Sequence, residues 1–272
     1  MRRRLALVPR YVLAIPIALA FVFPFYWMAL TSLSTLDRVF EFPPILYPLW
    51  HFENFATVWR QAPWPRYFIN TIFIATTTTL LVLITSTLAG YAFASMRFPG
   101  KAIVFGTVLA VYMVPAEVTL VPNFIILKNL GWIDTYQAQI VPFAASVFGI
   151  FLMRQFFLTL PKELWEAAQL DGCSHIRFLW RIAVPLARPQ LVTVALFHFV
   201  GSWNSFLWPL IMANSEDVRP LQVGLNSFIP EQSTDPVQLG AAALITTLPI
   251  LVIFILAQRQ IVGGIATTGI RG

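Results

Sequence analysis

Long intervals without a single charge are the feature that most constrains this chain. Arg10 to Asp37 encloses 26 uncharged residues, Arg66 to Arg97 encloses 30, and Arg188 to Glu216 encloses 27. Asp235 to Arg259 encloses 23, Asp134 to Arg154 encloses 19, and Lys101 to Glu117 encloses 15, with the apolar run resuming past Glu117 to Lys128. A helix needs roughly 20 apolar residues to cross ~30 Å of hydrocarbon. The intervals predict an all-α membrane protein with six transmembrane helices, at about 11–33, 67–95, 102–122, 137–158, 190–212 and 238–258. The third is the least regular, because Pro115, Glu117 and Pro122 fall near its end. Composition agrees: 58% of residues are apolar and 11% charged, against roughly 45–50% and about 25% in soluble domains. A soluble fold cannot hide that much apolar surface, and a disordered chain is polar and highly charged. The single cysteine, Cys173, excludes a disulfide framework and a cysteine-based zinc site.

Lys and Arg decide orientation, since they collect on the cytoplasmic side. With the amino terminus inside, the inner segments hold 13 of the 18 cations and three acids, Glu163, Glu166 and Asp171. The outer segments hold five cations and nine acids. Both termini are therefore expected in the cytoplasm, and the pI of 9.8 reflects topology rather than nucleic-acid binding. Arg2, Arg3 and Arg4 before an apolar stretch look like the start of a signal peptide. That stretch is far longer than the ~7–15 residues of a signal's apolar region, so an uncleaved first helix is expected. No internal repeat or flexible linker interrupts the chain, which reads as one membrane domain over residues 1–272. The outer segment 34–66, with five prolines and three tryptophans, reads as an interfacial loop.

Residues 159–189 are the one sizeable polar stretch on the inner side. Pro161 sets a helix start, and Lys162 to Leu170 has high helix propensity. Leu164, Ala167, Ala168 and Asp171 fall near one face. Gly172 suits a left-handed cap, Ser174 can cap a second helix through Ile182, and Val184-Pro185 stops it. By periodicity alone this is a helical hairpin on the membrane surface.

The residue identities say more. Glu166-Ala167-Ala168, three residues, Gly172, nine residues and Ile182-Ala183-Val184-Pro185 resemble the EAA loop of binding-protein-dependent ABC importer permeases. Val184 replaces that family's leucine, and Cys173 stands where a small residue is common. Phe151 to Phe157 leading to Pro161, Trp203-Asn204, and the ending Gln258 to Gly264 also look like carbohydrate-type permeases. Within that group the chain is similar to the smaller maltose-transporter permease and to the glycerol-3-phosphate permease, least so over 34–66.

The resemblance implies a type I ABC importer permease fold with the inner loop as a coupling helix. It implies a second permease, two ATPase subunits that bind ATP and magnesium, and an extracellular solute-binding protein. The setting is a bacterial or archaeal cell (inner) membrane, among lipids, with no nucleic acid. By carry-over, coupling falls to Glu166, Ala167, Ala168, Asp171, Gly172, Ile182 and Pro185, with Glu166 meeting an ATPase arginine. Arg177 and Arg181, one turn apart, would meet either the ATPase or anionic lipid. The tail from Gln258 to Gly272 would either fray or reach the ATPase dimer.

A polar solute needs hydrogen-bonding groups along its path. Asn70, Tyr112, Trp203, Asn204 and Trp208 are candidates as polar or aromatic groups within the spans, and the Trp203-Asn204 pair stands out because an indole and an amide together in mid-helix are costly against lipid. Most Ser and Thr in the spans are expected to bond their own helix. Glu117, near an outer end, reads as a headgroup-level or gating acid. Glu216, Asp217, Glu231 and Asp235 mark an acidic outer loop that, by the resemblance, contacts the binding protein. No catalytic group is expected. Gly100-Lys101 lacks the remaining phosphate-loop residues, no H-E-x-x-H occurs, and His51, His175 and His198 are scattered, so no metal and no bound cofactor is assigned. Imported solute is most simply a di- or oligosaccharide, with glycerol-3-phosphate or its diesters next. A structural membrane subunit without transport stays open.

Overall fold

The computed structural model describes residues 8–44, 46–229 and 234–268. Arg2, Arg3, Arg4, Glu231 and the last four residues of the tail lie outside them, and of the tail from Gln258 only the backbone as far as Thr268 is described. Every regular element among the described residues is helical. They run α1 (Val8–Ser32), α2 (Leu36–Val39), α3 (Glu53–Gln61), α4 (Trp64–Ser95), α5 (Lys101–Val111), α6 (Ala116–Asn129) and α7 (Tyr136–Ile140). Then follow α8 (Val147–Leu158), α9 (Lys162–Leu170), α10 (His175–Leu186), α11 (Arg188–Trp203), α12 (Leu207–Met212), α13 (Leu221–Asn226) and α14 (Pro236–Thr268). Four stretches are long and apolar enough to cross a membrane: Ala14–Ser32, Trp64–Ser95, Tyr136–Leu158 and Pro236–Ile253. The number rises to six if each of two bent pairs, α5 with α6 and α10 with α11, forms one span.

Three stretches drawn as straight helices from sequence are interrupted in the structure, each at a proline: 137–158 passes through a short 3-10 turn at Val141–Phe143 and resumes at Val147, and two others break more sharply. The stretch 102–122 bends by 97° between α5 and α6. Pro115 stands at the break with extended backbone (φ −58°, ψ 136°), and Tyr112 to Val114 close the end of α5 with three-residue turns. The stretch 190–212 stops at Trp203 and restarts at Leu207. There Asn204 donates from its side chain to the Val200 carbonyl at 2.9 Å, competing with the helix. Pro209 lacks an N–H, and its ring would clash with the Ser205 carbonyl of a continuous helix. Conversely, the second helix of the segment 159–189 does not stop at Val184-Pro185. It runs on to Leu186 because the turn Leu179–Ala183 widens, with the Val184 N–H reaching back five residues to Leu179. That wider turn accommodates the ring of Pro185.

The described residues fall into two compact units, within Met1–Trp64 and Gly224–Pro249, and within Pro65–Val223 and Ile250–Gly272. In the first unit α1 meets α14 at Gly240, where an added Cβ would lie 3.3 Å from the Met28 carbonyl oxygen. Asn54 caps the end of α1, its amide donating to the Ser32 and Ser34 carbonyls at 2.9 Å. Trp64 is fully buried, donates to the Val58 carbonyl at 2.8 Å and stacks on Phe228.

The second unit is built around α4, α8 and α11. Small residues let these backbones approach, as in membrane bundles generally. A Cβ on Gly90 of α4 would lie 2.7 Å from the Met153 Cβ and 3.0 Å from the Arg154 amide of α8. Gly149 of α8 is seated against Ser86 and Val194 in the same way. Gly90→Ala is expected to destabilise the purified protein by about 1–3 kcal/mol, since the backbone of α8 must move. Gly106→Ala, where an added Cβ meets open space, is expected to leave the melting temperature unchanged or slightly raised; thermal unfolding in detergent compares the two.

Candidate functional site

The segment 159–189 forms two short helices around a tight bend. Pro161 caps α9 with extended backbone, as its missing N–H and fixed φ favour. Gly172 ends α9 at φ +69°, the left-handed conformation that costs other residues roughly 1–2 kcal/mol. Its N–H bonds the Gln169 carbonyl at 3.0 Å, and the Cys173 N–H bonds Ala168 at 2.9 Å, which satisfies the last carbonyls of α9. Ser174 then caps α10, accepting from the Arg177 N–H at 3.4 Å. Nothing within 4 Å would meet a Cβ at Gly172, so Gly172→Ala is a pure backbone perturbation. Amide-exchange protection over 168–173 is expected to fall about 5- to 30-fold, the equivalent of 1–2 kcal/mol.

The packed face of α9 differs from the one that periodicity picks. Trp165 and Ala168 face inward, whereas Leu164, Ala167 and Asp171 are exposed. The reason is the partner surface: Ala168 sits in a buried cluster with Tyr91 of α4, Met153 and Phe157 of α8, and Phe178, Leu179 and Ala183 of α10. His175 ties this cluster together. Its Nδ1 is 3.0 Å from the Tyr91 hydroxyl, and its ring stacks on Trp165 at 4.1 Å between centroids. Trp165 meets Phe178 edge-on at 5.1 Å, and Tyr91 meets Phe157 edge-on at 5.6 Å. Ile182 is half-buried against the cluster, and Pro185 is exposed. The opposite face carries Glu163, Glu166, Ala167 and Leu170, all exposed, with Leu170 at 91%. Arg177 and Arg181 are exposed on α10. Sequence reading names Glu166 and Gly172 but does not bring Tyr91, Trp165 and His175 together, because no helical period links their spacing.

At the other end of this unit, the loop after α12 is held by side chains that bond its backbone. Asn70, fully buried, donates to the Arg219 carbonyl at 2.8 Å and accepts from the Tyr136 hydroxyl at 2.7 Å. Gln139 donates to Val218, and Arg66 to Asp217, each at 2.9 Å. Asp134, in left-handed backbone at φ 63°, accepts from the Ser215 N–H at 2.8 Å. That bond, above all, holds its carboxyl below the usual carboxylate range. Glu216 and Asp217 project outward from the clamped loop. Asp235 instead caps α14, accepting from the Val237 N–H at 2.8 Å. Glu117 is exposed in the first turn of α6, at the helix end that favours an acid.

Of the remaining solute candidates, Tyr112 is exposed at the break between α5 and α6, and Asn204 at the break between α11 and α12, where its carbonyl oxygen lies 3.4 Å from Gln222 Nε2. Trp203 is buried beside Phe199. Trp208 lines a cavity of about 240 Å³ between α4, α7, α11 and α12. Its indole donates to the Ala138 carbonyl at 2.9 Å and packs edge-on against Phe143 at 5.6 Å. Gln139 and His198 also reach this cavity. Several threonines do bond their own helix: Thr78 to Ile74 at 2.6 Å, Thr85 to Leu81 at 2.9 Å and Thr193 to Pro189 at 2.9 Å.

Among the described residues the chain is all-helical, with a glycine-bent helix pair packed onto two of its apolar helices. Comparison with known proteins carries the assignment further. The family described as binding-protein-dependent transport system inner membrane component matches residues 86–266. Relatives include a probable ABC transporter permease protein of Bacillus subtilis, YurM, 34% identical over 93% of this chain and 85% of its own. The arabinooligosaccharides transport system permease protein AraQ of the same organism is 32% identical over 94% of this chain and 92% of its own. The sn-glycerol-3-phosphate transport system permease protein UgpE of Yersinia enterocolitica is 32% identical over 91% of each. Among solved structures, a chain from a bacterial ABC transporter involved in the import of the acidic polysaccharide alginate superposes with a TM-score of 0.83, at 24% identity, over 94% of this chain and 96% of that one. The chain belongs to the family of binding-protein-dependent transport system inner membrane components. It is a membrane permease subunit of the ABC importer type rather than an enzyme.

Proposed function

We propose that this chain is the transmembrane permease subunit of an ATP-driven ABC importer that takes up a sugar, a di- or oligosaccharide, delivered by an extracellular solute-binding protein. It pairs with a second permease in the cell membrane of a bacterium or archaeon, with both termini in the cytoplasm. Two ATPase subunits bind ATP and magnesium and supply the energy. The observation that carries this reading is the exposed row Glu163, Glu166, Ala167 and Leu170 on a helix whose other face is fixed to α4 and α8. A large leucine and two acids facing away from the chain's own core fit a cleft on another subunit. When the ATPase pair closes, α9 moves and carries α4 and α8 with it, switching the pathway from inward-open to outward-open. The side chains of Glu216 and Asp217, on a backbone held by Asn70, Gln139 and Arg66, fit contact with the docked binding protein.

A second reading, import of glycerol-3-phosphate or its diesters, draws support from the similarity to UgpE. The cavity beside Trp208 supports the sugar, since no Lys or Arg is among the described residues that line it.

Glu166→Ala tests the coupling role. In proteoliposomes containing the complete transporter, ATP-driven uptake and binding-protein-stimulated hydrolysis should both fall tenfold or more. The variant's melting temperature should stay within a degree or two, since Glu166 is exposed. Undiminished uptake by a correctly assembled variant contradicts the assignment.

A further inference from the structure

Where α4 gives way to α5, two cations are held half-buried with no acid to meet them. Lys101, the first residue of α5, donates to the Met96 carbonyl at 2.9 Å and to the Ala94 carbonyl at 3.2 Å. Arg154 of α8 donates through Nε to the Phe93 carbonyl at 3.3 Å, and its guanidinium carbon lies 4.3 Å from the centre of the Phe105 ring. Phe93 packs on Phe105 at 5.2 Å between centroids, so the guanidinium rests on an aromatic wall. Both cations are half-buried, and the charge of Arg154 reaches Lys101. Among the described residues neither forms an ion pair. Arg97, exposed two residues beyond the end of α4, adds a third cation and makes no hydrogen bond among the described residues.

The carbonyls at the end of α4 do not balance this charge. A helix C-terminus carries the equivalent of about half a negative charge, against the full positive charges of Lys101 and Arg154. Partly desolvated cations without a counter-ion are costly. Two N–H donors of the ammonium go to carbonyls, and of the guanidinium only Nε–H is engaged among the described residues. Each cation therefore keeps donors that an oxyanion can take up.

We propose that Lys101, Arg154 and Arg97 form a site for the phosphate of an anionic membrane phospholipid. A lipid rather than a free phosphate follows from the surroundings of the cations. Met96 and Phe98 at the bend, and Ile103 and Val104 in the first turn of α5, are exposed and apolar. They continue the site as a surface along which acyl chains lie. Basic pockets between membrane helices hold such headgroups. Ala94 packs against the cluster that seats α9, so the headgroup lies at the membrane face of the segment 159–189. Placing it in the cytoplasmic leaflet rests on the orientation proposed above; binding needs only a chain in a bilayer, whatever it transports. The bound headgroup neutralises the junction at which Lys101 and Arg154 join α5 and α8 to the end of α4.

Native mass spectrometry of the chain, purified with the subunits that accompany it from the membrane, tests the site. The probes are phosphatidylglycerol, phosphatidylethanolamine and inorganic phosphate. Wild type should retain phosphatidylglycerol at least fivefold over phosphatidylethanolamine, and millimolar inorganic phosphate should not displace it. Lys101→Gln should lower that preference at least threefold, and Lys101→Arg should keep it. Arg97→Gln should lower it as well, even if Lys101→Gln folds poorly. Arg188→Gln, which removes one exposed cation elsewhere, should leave it unchanged. Equal retention of the two lipids by wild type, or an unchanged preference in both glutamine variants at 97 and 101, would overturn the site. An equal loss in Arg188→Gln would overturn it too, since net charge alone would then be read. Displacement by inorganic phosphate would overturn the lipid source. Release of this chain from its partner subunits in Lys101→Gln and Arg97→Gln, without loss of lipid, would assign the cations to a subunit contact instead. A wild type that keeps the lipid preference but imports no solute would remove the importer reading and leave the site standing.

Discussion

The seat of Ala168 against Tyr91 and Phe157 is the contact on which the rest of this account depends. Two apolar helices end there, and an amphipathic one is pinned across them by four rings, Tyr91, Trp165, His175 and Phe178. Alanine at 168 matters for its size, since nothing larger would let α9 lie so close. Rings pack stiffly because each has few rotatable bonds, and edge-on pairs have a preferred geometry. On the proposed mechanism, this packing would pass a displacement of α9 to α4 and α8 rather than let the loop absorb it. The glycine bend serves the same end. Its closed pair of hydrogen bonds leaves no loose residue between α9 and α10.

The far end of the same unit is organised by another means. In the cluster, apolar shape sets the geometry; at the loop 213–220, side-chain amides and hydroxyls bond a backbone that has no regular structure of its own. Asn70, Gln139 and Tyr136 stand on helices, and the carbonyls they meet belong to 217–219. Irregular backbone near a membrane must find such partners. Gln139, which also lines the cavity beside Trp208, fixes the loop through its nitrogen.

Much of this was legible in the residues. Charge spacing located the apolar helices, and the E-A-A, glycine, I-x-x-P pattern located the bent inner segment, because both signals are local and periodic. Gly172, Pro161 and Ser174 act as caps where chemistry demands them. What stayed hidden depended on tertiary partners. Asn70 reads from sequence as a hydrogen-bonding group on the solute path, yet it is buried under a loop nearly 150 residues further along. The face of α9 was misjudged because Ala167 and Ala168 are equally small, and only the position of Tyr91 and Phe157 tells them apart. Breaks at Pro115 and Pro209 were visible as prolines, but nothing local says whether a membrane helix kinks at such a residue or stops.

The central claim, that the inner segment and the membrane helices move as one body, can be read from a single distance. Spin labels at Leu170 on α9 and Ile84 on α4 are both exposed, and pulsed dipolar spectroscopy on the complete transporter measures their separation with and without trapped ATP. One narrow distribution, unchanged between the two states, is the expected result. A distribution that broadens or shifts by a helical turn when ATP is trapped would mean that α9 slides independently of α4, and the lever would be lost.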